Sequence, residues 1–174
     1  IYRAEVQRRY NDITLPALSV VVSQAFLPNS EIAFDAHCRN VDRIEFKLYR
    51  VDLLEDASLT GKVRQDEHEH SRRFYASSVE QWIRHVDLRD AEVVRSWLRK
   101  TGDKGEHEPM ADQIQLEEPV GAGAYVLVAD AEGAQAYELI VVSDLAVVAK
   151  RRGKDILLYA CDALTGAPAS NVRF

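Results

Sequence analysis

The most metal-like stretch of this chain is Asp66-Glu67-His68-Glu69-His70. His68 and His70 share a face only on an extended strand, and Glu67 and Glu69 then share the other. Zinc takes three or four converging ligands in fixed geometry. No other ligand-rich segment has a reason to converge on this one, and no His-Glu-x-x-His pattern occurs. The stretch therefore reads as a solvated loop. Serine catalysis needs a nucleophile, a base and an orienting acid, and its Gly-x-Ser-x-Gly elbow is absent. Gly121-Ala122-Gly123 lacks the spacing of a dinucleotide loop and reads as a turn. Glu117-Glu118 stands beside Pro119, where solvent exposure fits better than acid–base work. Cys38 and Cys161 lie in strand-like stretches far apart and are expected as buried free thiols. No catalytic, cofactor-binding or metal-ligating residue is assigned, and the chain reads as non-enzymatic.

The totals agree with a globular, strand-rich protein. The 174 residues suit one domain or two small ones, with 47% apolar and 29% charged residues. A net charge of -6 argues against a phosphate-tracking surface. The basic run Lys150-Arg151-Arg152 reads as a solvated turn. No apolar run approaches the ~18 residues that span a bilayer. Ile1 carries no signal-peptide pattern, and with no initial Met the start reads as a cut.

The elements follow from periodicity. Residues 1–10 read as a polar lead-in, ended by a turn at Asn11-Asp12. Thr14 to Phe26 reads as a strand, with Pro16 at its edge. Ile32, Phe34, Ala36 and Cys38 alternate with polar neighbours, as do Ile44, Phe46 and Leu48, so a hairpin is expected there. Leu54 to Arg73 reads as an exposed loop. Val79, Trp82, Ile83 and Val86 fall on one helical face, and Ser78 with Gln81 resembles a capping box. Asp90 is read as the cap of a second helix bearing Val93, Val94, Trp97 and Leu98, closed by Thr101 to Gly105. A helical insertion over about 77–100 is thus expected, with Trp82 and Trp97 packing on the sandwich. Strands return at Ile114-Gln115-Leu116, Ala124 to Asp130 and Ala134 to Ser143. Leu145 to Lys150 and Asp155 to Asp162 then flank a turn at Arg151-Arg152-Gly153. This is an all-β pattern of two sandwiches abutting without a linker. The first runs over 11–143, and 144–174 reads as the truncated start of the second.

Four segments, two of them overlapping, carry a family resemblance. "DALTGAPASNVRF" resembles the D-x-x-T-G-x-P turn that opens macroglobulin-type β-sandwiches. "AYELIVVSDLAVVAKRRGKDILLYACDALTG" resembles a junction between consecutive domains of bacterial alpha-2-macroglobulin-like proteins. "RNVDRIEFKLYRVDL" and "IQLEEPVGAGAYVLVADAEG" are similar to that family's hairpin strand and its return. The matches cover most of the chain outside Leu54 to Glu108. Ala122-Gly123 replaces the usual Pro-Gly, and Asn171 stands where a small residue is usual, which leaves open which domain this is.

The resemblance implies a macroglobulin-like antiparallel sandwich within a large protease trap, extracellular or periplasmic. Its partners would be neighbouring domains of the same polypeptide and, through the whole protein, target proteases. No nucleic acid, membrane insertion or cofactor is implied. The family's Cys-Gly-Glu-Gln thioester has no match. Arg39-Asn40-Val41 follows Cys38, Asp162-Ala163-Leu164 follows Cys161, and Glu80-Gln81 follows Val79. The segment would be scaffold. A spacer or adhesion module of a cell-surface protein is the alternative, and an accessory sandwich of a carbohydrate-active enzyme a more distant one.

Overall fold

The computed structural model describes residues 2–53, 60–61, 74–75 and 79–172. It opens with a helix, α1 (Tyr2–Thr14), where the sequence reading expected a polar lead-in. The physical reason is a stripe. Tyr2, Val6, Tyr10 and Ile13 recur at helical spacing, and Arg9–Glu5 and Gln7–Asn11 bond at i,i+4. The helix stops ahead of Leu15-Pro16, since a residue before proline disfavours helical backbone. The strand expected from Thr14 to Phe26 contracts to β1 (Ala17–Val21).

Two antiparallel sheets follow. The first has the order β1, β2 (Ala33–Arg39), β7 (Met110–Gln115). The second has the order β6 (Val93–Lys100), β3 (Arg43–Val51), β8 (Gly123–Ala131), β9 (Ala134–Val142). The alternation read in β2 and β3 is observed, and Phe34, Ala36, Cys38, Ile44, Phe46 and Leu48 all enter the core between the sheets. The hairpin expected there is not formed, because the Asn40-Val41-Asp42 turn carries the chain across the core, so β2 pairs with β1 and β7 and β3 with β6 and β8. β8 is apolar on both parities because both its faces are covered. Tyr125, Leu127 and Ala129 face the other sheet, while Val126 meets a short helix on the outside. That helix, α2 (Val79–His85), buries Trp82 and Ile83 there, with Val86 just beyond it. Thr60–Gly61 (β4) and Phe74–Tyr75 (β5) form a small strand pair.

The expected second helix is instead β6, a correction to the insertion read over 77–100. β6 pairs with β3 throughout, and Trp97 stacks on Phe46 at 5.1 Å and 17°. Helical spacing was a false signal with a local cause. Leu48 pairs with Arg95 and Tyr49 with Val93, so Val94 is an extra, bulged residue. A bulge breaks the period of two and leaves apolar residues at i, i+1, i+4 and i+5. Thr101 to Gly105 is accordingly no helix end but a β6–β7 loop. Asp103 there accepts Val41 N–H (3.0 Å) and Gly105 N–H (2.6 Å).

Arg95–Glu118 and Arg99–Asp112 ion pairs bridge the sheets on the side of β6 and β7. At the sandwich's end, Phe26 pairs beside Val142. Only Ser143 and Asp144 separate β9 from β10 (Leu145–Arg152), which pairs with β11 (Asp155–Asp162) as a separate two-stranded sheet. Its two-residue turn is Gly153-Lys154, with Gly153 at φ +62°, a conformation suited to glycine.

Candidate functional site

The end of the sandwich and the hairpin beyond it form the most featured surface. Tyr125, at the start of β8, is buried and donates its hydroxyl to Gly121 O at 2.9 Å. This is a tyrosine corner of the kind that fixes the entry to a sandwich strand. Arg50 lies over the Tyr125 ring at 5.9 Å and donates to Ala122 O at 3.3 Å. Gly123 passes close beneath both, and a β-carbon there would sit 3.3 Å from the Tyr125 hydroxyl. So the Gly121-Ala122-Gly123 turn is a packing device.

An open groove of about 680 Å³ runs along this end, lined by Arg50, Asp52, Glu92, Gly123, Val141 and Ser143. Its polar side chains are one guanidinium, two carboxylates and the Ser143 hydroxyl around an apolar floor. The guanidinium is engaged by Ala122 and Tyr125, so the groove offers shape and a receiving surface.

The hairpin carries the D-x-x-T-G turn. Asp162 Oδ1 accepts Leu164 N–H (3.1 Å), Thr165 N–H (2.7 Å) and the Thr165 hydroxyl (2.7 Å). The Thr165 hydroxyl and backbone donors hold the Asp162 carboxyl below its usual range. Gly166 at φ +72° completes the reversal, and the chain returns along β11 through Cys161–Pro168 and Ala169 N–H to Ala160 O (3.0 Å). Both faces of the hairpin are apolar, and Ile156 and Leu157 are each 65% exposed.

The other sequence candidates are dispersed. Cys38 is buried in β2 and Cys161 in β11, both unbridged. Burial pushes the Cys38 thiol up, with Asp103 and Asp112 adding to it. Glu118 pairs with Arg95, while Asp66 to His70 lies outside the described residues. Among the described residues no group of three or more His, Cys, Asp or Glu is placed to hold a metal. Trp82 is 4% exposed and packs as expected on the sandwich, its indole N–H without a partner among the described residues, and Trp97 is half-buried against the core. No described helix is long and apolar enough to cross a membrane.

Sequence reasoning missed Asn40. Its side-chain amide donates to Ile13 O (2.7 Å) and Leu15 O (3.1 Å), tying the end of α1 to the β2–β3 turn. Its oxygen must then accept from His107 Nδ1 at 2.7 Å, which fixes the proton on that nitrogen. The signal was the Asn40-Val41-Asp42 turn, with Asn40 at φ +59°.

No protein-family model and no curated protein matches the chain. Solved structures do. Native alpha-2-macroglobulin from Escherichia coli spanning domains MG0-NIE-MG1 aligns over 89% of this chain at TM-score 0.54 and 18% identity. The chain spans about half, 48%, of that fragment. A second structure of the same protein, spanning NIE-MG1, aligns over 90% of this chain and 74% of its own length at TM-score 0.46 and 15% identity. The chain therefore has the fold of a macroglobulin-like β-sandwich segment, the fold its sequence resemblance implies.

Proposed function

We propose that this chain is a non-catalytic structural module of a large alpha-2-macroglobulin-like protease inhibitor, acting in the periplasm or outside the cell. The likeness to the E. coli protein carries the reading, because 89% of the chain is a longer stretch than residues 11–143 alone. It thus takes in part of what flanks the sandwich. In this reading the module sets the spacing and angle of neighbouring domains. The two-residue step from β9 to β10 is a short, stiff joint, and β10–β11 is the first strand pair of the following domain. The partners are those neighbouring domains and, through the whole polypeptide, the captured protease.

The test uses the polypeptide that carries this segment, mixed with trypsin. Residual activity is read on a large protein substrate and on a small chromogenic peptide. Loss of protein cleavage with peptide cleavage intact is the expected result, since a caged protease keeps an open active site. Unchanged cleavage of both substrates would overturn the reading.

A further inference from the structure

We propose that the outer face of the first sheet holds a binding site for a phosphate-type oxoanion, built from Arg39, His37 and Ser19. The inference is independent of the terminal hairpin and of the protease-trap reading. β2 is the central strand of its sheet, with β1 and β7 paired on either side, so the walls of the site all come from within the sandwich.

The alternation that sends Ala36 and Cys38 into the core turns His37 and Arg39 outward. In β1, Ser19 is opposite His37 and Ala17 is opposite Arg39, while in β7 Ala111 is opposite His37. The β2–β7 ladder ends at Cys38–Met110, because Pro109, the next residue, has no N–H to extend it. Small side chains therefore flank the guanidinium and the imidazole. They leave a depression of about 340 Å³ lined by Ala17, Ser19, His37, Arg39, Pro109 and Ala111.

Arg39 is the reason to expect a ligand there. Its side chain is half-buried, and its Nε is shut off from solvent with no hydrogen-bond partner. Arg95 and Arg99 each meet a carboxylate, whereas Arg39 makes no ion pair among the described residues. A partly buried charge with an unmade hydrogen bond is costly until an acceptor meets it. The His37 and Ser19 side chains also have no partner among the described residues. Residues two apart on one strand face are rooted about 7 Å apart, and directly opposite ones about 5 Å. A tetrahedral anion fits such a triangle. The guanidinium fork gives it two N–H groups, His37 a ring N–H in either tautomer, and Ser19 a hydroxyl. A carboxylate would be satisfied by the fork alone and leave the other two donors idle. Asp35 shares this face but lies beyond His37, on the side away from Arg39, and Glu108 just precedes Pro109. Neither carboxylate is paired with Arg39.

Titration of the 174-residue chain with inorganic phosphate, followed by residue-resolved NMR, reads the site through the Arg39 Nε–H and the Ser19 and His37 amides. Saturable shifts at these groups, with a Kd of about 1 mM, are the expected result. Arg39→Gln should weaken binding by about tenfold or more, and His37→Ala by about threefold. Arg43→Gln, at an exposed arginine in the other sheet, should leave it unchanged. His37→Ala, at an exposed residue, keeps the test open should Arg39→Gln fail to fold. Glycerol phosphate distinguishes the source: tighter binding than inorganic phosphate assigns the site to the phosphate of a larger molecule, and equal or weaker binding to the free ion. No saturable shift with either phosphate overturns the proposal. So does acetate binding as tightly as phosphate, or a response unchanged by both Arg39→Gln and His37→Ala.

Discussion

Asp103 shows how much one half-buried carboxylate can organise. Its oxygens accept Gly105 and Val41 N–H groups, so it joins the β6–β7 loop to the β2–β3 turn across the top of the sandwich. The Thr101 hydroxyl, bonded to Val41 O, completes the same junction. The Gly105 N–H, then the Val41 and Asn40 N–H groups and the charge of His107, hold the Asp103 carboxyl below its ordinary value. A depressed pKa stabilises the fold fully above the unfolded value, about 3.9 for aspartate, and that stability is lost as pH falls through the lower folded value. Asp103→Asn should therefore be less stable than the parent chain at pH 6. The gap should close below about pH 4 as the parent's own carboxylate protonates. Urea unfolding across pH 2.5–7 reads this directly, and a gap independent of pH would sink it.

Elements were legible where one period ran unbroken and illegible where two effects overlapped. β2 and β3 alternate cleanly, so Phe34 to Cys38 and Ile44 to Leu48 could be placed in the core from the sequence. β6 could not, because the bulge at Val94 gives a strand the apolar spacing of a helix. α1 was missed for the opposite reason. It buries none of its residues, so its stripe looked too polar to be an element. α2 was found because its inward face is apolar and covers the outer side of the second sheet, together with Val86, Leu88 and Ala91 just beyond it. That covering role can be weighed. Trp82 fills the space between α2 and Val126, so Trp82→Ala should destabilise the chain by about 3–5 kcal/mol. Trp82→Phe should cost far less, since the lost indole N–H has no partner to leave behind. Chemical unfolding of both variants checks the pair. Equal losses would mean that the helix is held by something other than this packing. The candidate site was legible only in its turns, where Gly121 to Gly123 and Thr165-Gly166 mark reversals. Asn40's role depends on α1 arriving beside it, which no local pattern announces.

At the scale of the molecule, the chain divides by how its apolar surface is covered. The sandwich has two cores, one between its sheets and one under α2, while the hairpin keeps Ile156, Leu157 and Leu164 open to solvent. Two strands alone are marginal in water, so the hairpin should open far more often than the sandwich unfolds. Amide exchange should resolve three tiers. Phe46 and Leu127, in paired central strands, should exchange only by global unfolding. Ala163 N–H bonds to Asp144 O one step beyond the Leu145–Asp162 pair, so by antiparallel alternation Ala146, Val148 and Lys150 bond to β11 and should exchange faster, by local opening. Val147, Ala149 and Arg151 have no backbone acceptor among the described residues and should exchange nearly as fast as an unstructured chain. Residue-resolved exchange by NMR separates these tiers, and the parity within β10 is the decisive feature. If Val148 and Ala149 exchanged alike, the alternation set by the Asp144 bond, and by Leu145 N–H turning instead to the Ser143 hydroxyl, would be wrong. If both exchanged as slowly as Phe46, the hairpin would belong to the sandwich's cooperative unit, and the joint at Ser143-Asp144 would transmit stability as well as direction.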